Sequence, residues 1–217
     1  MLQDLLETLY KYKPTFFHAV PSLYVGLLFH KDIKDYDLTS IRACLSGAAP
    51  LPEQVMYNFE ELTGANVVEG YGLTETSPVT HVNPLTGGGK RAGSIGFPIP
   101  DTDVKIFDPS EGKANIEFPQ GGETQNEGEI GMKGPQVFSG YWNKPEETKN
   151  TFNDDGYFLT GDIGYIDPDG YFFITGRKKN MIDVSGLKVY PREVEEELIE
   201  HPAVQEVAIV GIPHTLK

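Results

Sequence analysis

The sequence is poor in cysteine, in basic residues and in long apolar runs. Cys44 is the single cysteine among 217 residues, which excludes an internal disulfide and a cysteine-rich metal site. Lysine and arginine number 18 against 32 acidic residues, and the net charge of −14 argues against binding to nucleic acid or anionic lipid. No apolar run approaches the roughly 20 residues of a membrane span, and the N-terminus lacks a signal-peptide pattern. These absences predict a cytoplasmic protein.

What the sequence does contain is an alternation of helical and strand patterns. Leu2, Leu5, Leu6 and Leu9 recur at helical spacing and predict a helix up to Tyr10. Short β-branched and aromatic runs predict strands at residues 15–20, 41–45 and 66–69, separated by helices that begin near Pro21 and Pro52. This order predicts an α/β fold, with part of a doubly wound and mostly parallel sheet.

The residue pattern of the sequence changes after Thr86. Gly87-Gly88-Gly89 predicts a flexible stretch, and the sequence up to Thr175 predicts short strands and turns. Asp155-Gly156 and Asp169-Gly170 predict turns between aromatic-rich strands, and residues 115–128 predict a surface loop or an insertion. Beyond Lys179 we expect a hairpin at 183–190, a helix at 191–200 and a strand at 204–212. The predicted organisation is therefore an α/β subdomain at 1–86, a β-rich subdomain at 87–177, a hinge at 178–180 and the start of a small α+β domain at 181–217.

The segment Gly70-Tyr71-Gly72-Leu73-Thr74-Glu75 is the first candidate site. A glycine-flanked turn after a strand exposes backbone N–H groups and allows close approach of a ligand. The Thr74 hydroxyl suits a phosphate oxygen, and the Glu75 carboxylate suits Mg²⁺. A tight strand-to-helix turn with a Thr–Glu cap explains the same residues without any ligand.

A second small-residue segment, Ser46-Gly47-Ala48-Ala49-Pro50, also follows a predicted strand. Flat backbone at Gly47, Ala48 and Ala49 can lie against a purine or a thin acyl chain. A plain loop into the next helix is an equally good interpretation.

Asp162 and Arg177 form the third candidate group. A carboxylate can accept hydrogen bonds from both hydroxyls of a ribose, and an arginine fork can bind ribose or phosphate oxygens. Arg177 also heads a basic triplet with Lys178 and Lys179, which is unusual in so acidic a chain. A turn aspartate and a solvated basic linker are the structural alternatives.

Other motifs are absent. The five histidines show neither metal-ligand spacing nor a Ser/His/Asp pattern, and the glycines before Lys90 lack the P-loop spacing. Asp167-Pro168-Asp169-Gly170 lacks the final glutamate of a calcium loop, because Lys178 stands there.

The ordered set of motifs resembles the AMP-forming acyl-CoA synthetases of the adenylate-forming superfamily, with fatty-acid–CoA ligases nearest in pattern. The segments that carry the resemblance are Ser46–Pro52, Gly70–Pro78, Gly140-Tyr141-Trp142, Gly156–Asp162, Asp169-Gly170-Tyr171, Gly176–Ile182 and Ser185–Glu195.

The resemblance implies an acid–thiol ligase that uses ATP, Mg²⁺ and CoA. A carboxylic acid, expected to be a fatty acid, would form acyl-AMP and then an acyl-CoA thioester. By motif, Gly47, Ala48, Ala49, Gly70, Tyr71 and Gly72 would line the adenine and acyl pocket. Thr74 would contact the α-phosphate, Glu75 the Mg²⁺, and Asp162 with Arg177 the ribose. Lys179 would be the hinge residue, and Ser185 with Gly186 would approach CoA.

The sequence departs from the family pattern at both ends. The family's phosphate loop and its C-terminal lysine are absent, so we expect an internal fragment that makes no detectable acyl-AMP alone. Loss of one preorganised donor already costs about 10² to 10³ in rate. The alternatives are an adenylation domain serving a carrier protein or another acceptor, and a non-catalytic AMP-binding module.

Overall fold

The computed structural model describes residues 2–86, 89–109, 127–199, 201, 203–204 and 207–212. They form two compact units, of which the first unit is Met1–Thr102 with Gln136–Phe138 and the second unit is Asp103–Pro135 with Ser139–Lys217. The predicted boundaries at residues 86, 177 and 180 remain predictions. Among the described residues, no helix has the length and hydropathy needed to cross a membrane.

Helices and strands alternate in the first part of the chain, and strands predominate after residue 78. The helices are α1 (Leu2–Tyr12), α2 (Pro21–Leu28), α3 (Glu53–Thr63), α4 (Pro145–Thr151) and α5 (Pro191–Ile199). The strands are β1 (Phe16–Ala19), β2 (Ala43–Ser46), β3 (Asn66–Gly72), β4 (Val79–Val82), β5 (Ser94–Pro98), β6 (Asp103–Phe107), β7 (Gly128–Lys133), β8 (Phe158–Ile166), β9 (Phe172–Arg177), β10 (Ile182–Val184) and β11 (Leu187–Val189). Short 3₁₀ turns lie at Ile33–Asp35, Thr74–Thr76 and Lys178–Asn180.

The first unit contains the predicted α/β sheet. Strands β1, β2 and β3 are parallel, with Ser46 opposite both Ala19 and Glu69, and α2 and α3 form part of the connections between them. The prediction of parallel strands in an α/β arrangement is therefore confirmed for β1 to β3. Strands β4 and β5 then add to β3 in antiparallel order, so the sheet is mixed.

Aromatic packing fixes the strands of the first unit from one side. The Tyr24 ring lies edge-on to Phe59 at 4.9 Å and to Phe17 at 5.6 Å, and all three are buried. The Tyr24 hydroxyl lies 3.3 Å from the carbonyl oxygen of Phe17 and 3.2 Å from that of Leu45, which joins α2 to β1 and β2. His18 is exposed whereas Phe17 is buried, because alternate residues of a strand point to opposite faces.

The second unit contains an antiparallel sheet with the order β6-β7-β8-β9. Its core includes Ile106, Ile130, Met132 and Phe172, all fully buried. The turns predicted at Asp155-Gly156 and Asp169-Gly170 are present, and the Asp167 carboxylate accepts hydrogen bonds from the N–H groups of Asp169 and Tyr171, each at 2.9 Å. The β-rich prediction for this part of the chain is confirmed.

The end of the described chain agrees with the sequence in part. The predicted hairpin is β10 and β11, and the predicted helix is α5. The strand predicted at 204–212 is wrong for its described residues, since none of them is in a strand. The Ile209 N–H donates to the Glu195 carboxylate at 2.8 Å instead of to a strand partner. Of the loop predicted at 115–128, residues 115–126 lie outside the described residues, and Gly128 already begins β7.

Candidate functional site

The glycines that follow β2 and lie within β3 are neighbours in the first unit. A Cβ atom added to Gly47 would lie 3.4 Å from the carbonyl oxygen of Gly70, and one added to Gly70 would lie 2.8 Å from Leu45 Cδ1. Two candidate residues from separate motifs are thus brought together at the carboxyl ends of parallel strands, where open α/β sheets place ligands. Their lack of side chains leaves bare backbone there.

Glu69 supports this backbone, and sequence reasoning missed it. Its Oε1 accepts a hydrogen bond from the Leu51 N–H at 3.0 Å, and its Oε2 accepts one from the Gly93 N–H at 3.2 Å. One carboxylate therefore hydrogen-bonds both the loop after β2 and the residue that precedes β5. A charged residue at the end of an apolar strand was the available signal. Ala48 and Ala49 in the supported loop are exposed.

The segment Gly70-Tyr71-Gly72 is strand, so its interpretation as a glycine-flanked turn is wrong. Gly70 pairs with Val82, Tyr71 with His81 and Gly72 with Val79 across β3 and β4. A Cβ atom on Gly72 would lie 1.8 Å from the carbonyl oxygen of Pro78. Gly72 is therefore required by the close approach of another backbone segment. Whether Gly70, Tyr71 and Gly72 also contact a ligand stays a prediction.

The turn itself runs from Leu73 to Pro78, and Thr76 holds it. The fully buried Thr76 hydroxyl accepts a hydrogen bond from the Leu73 N–H at 2.9 Å, and it lies 2.5 Å from the carbonyl oxygen of Pro78. Within this turn Thr74 is exposed and Glu75 is half-buried. The Glu75 carbonyl accepts a hydrogen bond from the Phe138 N–H at 2.8 Å. The two predicted functional residues thus lie on a short, internally braced turn.

His81 in β4 is the cross-strand partner of Tyr71. Its ring centroid is 5.8 Å from that of Tyr71, and its Nδ1 is 3.0 Å from the Thr80 hydroxyl. Burial disfavours the imidazolium and lowers the pKa of His81 to about 3, so the ring is neutral at pH 7. The aromatic neighbour of Tyr71 on the adjacent strand is therefore uncharged.

In the second unit, Asp162 and Arg177 form an ion pair. They are register partners across β8 and β9, and Arg177 Nε lies 2.7 Å from Asp162 Oδ1. The Asp162 side chain is 4% exposed while that of Arg177 is 49% exposed. The Asp162 N–H also donates to the Thr160 hydroxyl at 3.0 Å. A fixed carboxylate beside a partly exposed guanidinium offers both an acceptor and donors for hydroxyl groups.

Glu129 is a second residue that sequence reasoning missed. Its carboxylate on β7 is buried, accepts the Gly161 N–H at 3.0 Å and forms an ion pair with Lys178 Nζ at 2.8 Å. Gly161 has a φ of 73°, in the left-handed region that favours glycine. An acidic residue inside the apolar run of β7 was the signal that could have identified Glu129.

The other predicted site residues of the second unit lie on its surface. Lys179 is exposed in the 3₁₀ turn after β9. Ser185 and Gly186 form the turn between β10 and β11, with φ values of 58° and 90°. The Gly186 N–H donates to the Asp183 carboxylate at 2.7 Å. Their assignment to a hinge and to CoA stays a prediction.

Among the described residues, no group of three or more His, Cys, Asp or Glu side chains is arranged to hold a metal ion. Mg²⁺ commonly takes one or two carboxylates together with substrate phosphate oxygens and water. A single half-buried carboxylate at Glu75, next to the exposed Thr74, fits that mode of binding.

The family model described as "AMP-binding enzyme" matches residues 1–142. A long-chain-fatty-acid–CoA ligase of Bacillus subtilis (strain 168) is 49% identical over 217 residues, which cover 99% of this chain and 37% of the relative. The ATP-bound structure of MatB from Rhodopseudomonas palustris has a TM-score of 0.85 at 37% identity, covering 99% of this chain and 41% of that one.

O-succinylbenzoate coenzyme A synthetase (MenE) from Bacillus subtilis, solved in complex with ATP and magnesium ion, has a TM-score of 0.83 at 29% identity. The match covers 99% of this chain and 42% of MenE. The chain thus spans about two fifths of the length of the proteins that it resembles.

Proposed function

Because the chain belongs to the AMP-binding enzyme family, we propose that it is the nucleotide-binding part of an ATP-dependent acid–thiol ligase. In that reaction a carboxylate attacks the α-phosphorus of ATP, which forms acyl-AMP and releases pyrophosphate. The CoA thiol then attacks the acyl carbon, which forms a thioester, and AMP leaves with the mixed-anhydride oxygen. The observation that carries the proposal is the Asp162–Arg177 pair, held in register across two strands.

The pair supports a role in ribose recognition. A buried carboxylate is costly unless it is paired, and Arg177 supplies that pairing through its Nε atom at 2.7 Å. The two hydroxyls of a ribose can donate to the carboxylate, while the exposed part of the guanidinium can donate to ribose or phosphate oxygens. Both groups are fixed before the ligand arrives, which lowers the entropic cost of binding.

In the first unit, we assign the adenine base to the backbone around Gly47 and Gly70. We assign the phosphates to the braced turn between Leu73 and Pro78. Gly47, Ala48, Ala49, Gly70, Tyr71 and Gly72 would line the pocket for adenine and part of the acyl group. The exposed Thr74 hydroxyl would donate to the α-phosphate. Mg²⁺, which Glu75 would hold, neutralises phosphate charge when bound.

The remaining assignments concern movement and the second substrate. Lys179 would lie at the hinge between the two half-reactions, and its exposed 3₁₀ turn is a short segment able to absorb a change in backbone angles. Ser185 and Gly186 would approach CoA through their exposed turn.

We assign a fatty acid as the carboxylic acid substrate. The support is the name of the Bacillus subtilis relative, long-chain-fatty-acid–CoA ligase, at 49% identity. The neutral His81 beside Tyr71 is compatible with an apolar acyl chain, because no buried charge has to be desolvated next to the chain.

The test is ligand-dependent stabilisation of the purified chain. A ligand present at 100 times its Kd raises the free energy of unfolding by about 2.7 kcal/mol. We expect AMP to raise the melting temperature and GMP to raise it much less. D162N, which retains the side-chain shape but loses the charge, should abolish most of the AMP effect.

The substrate class has its own arm in this experiment. A non-hydrolysable long-chain acyl-sulfamoyl adenosine should stabilise the native chain more than AMP does, and an acetyl analogue should not. If AMP gives no shift, nucleotide binding by this chain is refuted. If AMP binds but both acyl analogues shift equally, the fatty-acid assignment alone is refuted.

A further inference from the structure

Glu129 closes a ring of contacts around the Asp162–Arg177 pair. Glu129 Oε1 accepts the N–H of Gly161, the residue before Asp162, at 3.0 Å. Glu129 Oε2 binds Nζ of Lys178, the residue after Arg177, at 2.8 Å. Since Asp162 and Arg177 are themselves joined at 2.7 Å, the ring has two covalent and three non-covalent links.

The ring is held most firmly at Glu129. Its side chain is 5% exposed, and an ionised carboxylate at that depth is stable only while both oxygens have partners. Displacement of Lys178 would remove the only one of these two partners that carries a charge, and the Gly161 N–H would remain. The buried charge therefore resists any movement of Lys178 away from β7.

The restraint acts at the start of the predicted hinge. Lys178 is the first residue of the 3₁₀ turn Lys178–Asn180, and Lys179 follows it directly. With the Lys178 side chain bound to Glu129, rotation of the backbone is easiest from Lys179 onward. Arg177 and the turn at Gly161 are fixed by the same carboxylate.

We propose that Glu129 is a positioning residue that couples nucleotide binding at Asp162 and Arg177 to the order of the hinge segment at 178–180. The inference rests on the proposed function, because it takes the ribose as the ligand of this pair. Ribose binding fixes Asp162, and thereby Gly161. Through Glu129 the same event strengthens the hold on Lys178. Conversely, loss of the Glu129–Lys178 pair loosens the ribose site.

The test compares four forms of the 217-residue chain. These are the native chain, E129Q, K178M and the double variant E129Q/K178M, and E147Q is the control because the Lys144–Glu147 pair is exposed at 61% and 55%. Calorimetry gives the Kd for AMP, and hydrogen exchange of the amides at 177–181, with and without AMP, reports on the hinge.

We expect AMP to slow exchange at 177–181 in the native chain and in E147Q. E129Q and K178M should bind AMP about fivefold more weakly or worse, and should lose most of the AMP-dependent slowing. The double variant should bind AMP no more weakly than the weaker of the two single variants, since both substitutions remove the same Glu129–Lys178 interaction. It also carries no unpaired buried charge, so it remains informative if a single variant fails to fold.

Three outcomes separate the possibilities. Native affinity and native AMP-dependent slowing in the folded double variant would overturn the coupling while leaving the proposed function intact. Additive weakening in the double variant would show that Glu129 and Lys178 act independently, which also overturns it. Failure of the native chain to bind AMP would overturn both the coupling and the proposed function.

Discussion

The braced turn of the first unit and the charged ring of the second unit are stabilised by opposite means. Between Leu73 and Pro78 the backbone is set by the space available at Gly72 and by the neutral hydroxyl of Thr76. Around Asp162 the geometry is set by two ion pairs with buried carboxylates. The first region should therefore be sensitive to side-chain size and the second to charge.

The largest effect is expected from G72A, because the new Cβ atom would overlap the Pro78 carbonyl oxygen at 1.8 Å. Backbone must move to relieve this contact, and we expect a loss of about 4 kcal/mol or more in the free energy of unfolding. Urea denaturation measures it. G47A is the matched control, since its Cβ atom would have an ordinary 3.4 Å contact and should cost less than about 1 kcal/mol. Equal effects of the two variants would contradict the steric account.

T76V sharpens the comparison by removing a hydrogen-bonding group without adding volume. The fully buried hydroxyl accepts from the Leu73 N–H and can donate to the Pro78 carbonyl. We expect a loss of about 2 kcal/mol in urea denaturation. T76S should restore most of it, while T74V, at an exposed position of the same turn, should be near neutral. A harmless T76V would show that the turn does not depend on this hydroxyl.

A pH-dependent loss of stability is expected from His81. The pKa of His81 is lowered from 6.5 to about 3 in the folded state, so between these pH values the unfolded chain binds a proton that the folded chain does not. The free energy of unfolding is therefore highest above pH 6.5 and decreases progressively as the pH falls toward 3. Each pH unit in that window costs about 1.4 kcal/mol, which amounts to about 2 kcal/mol at pH 5.

The variant H81Q tests this dependence. Between about pH 7.5 and pH 5, H81Q should lose about 2 kcal/mol less stability than the native chain. H18Q, which changes an exposed histidine on β1, serves as the control. An identical pH profile for H81Q and the native chain would contradict a buried neutral imidazole.

The smallest effect on stability is expected from R177K. The positive charge remains and the side chain is 49% exposed, so urea denaturation should show a loss below about 1 kcal/mol. Lysine lacks the planar fork, and AMP affinity measured by calorimetry should fall about tenfold. E147Q should leave both quantities unchanged. A large loss of stability with native AMP affinity would make Arg177 a structural residue only.

The sequence predicted the parts of the fold that depend on local pattern. Leucine spacing identified α1, apolar runs identified β1 to β3, and Asp-Gly pairs identified the turns of the second unit. The strand predicted at 204–212 was wrong because strand pattern gives no information on pairing partners, and the Ile209 N–H is bound by a side chain.

The candidate site was predicted less completely for a similar reason. Asp162 and Arg177 were found because their chemistry is evident from residue type. Glu69 and Glu129 were missed because their roles depend on N–H groups that lie 18 to 32 positions away in the chain. Gly72 was assigned to a turn because a glycine that admits a neighbouring backbone has the same sequence signature as one with positive φ.

Ala48 has a further consequence for how the chain could be improved. Its φ of 71° is one that L-residues adopt at a cost of roughly 1 kcal/mol, and its methyl group is exposed, so burial does not offset that cost. The methyl group also restricts the unfolded chain, which partly compensates for the strain. Glycine at position 48 would remove the strain and make the loop after β2 more flexible. A protein engineer could thereby adjust the rigidity of this loop without changing any charge or hydrogen-bonding group.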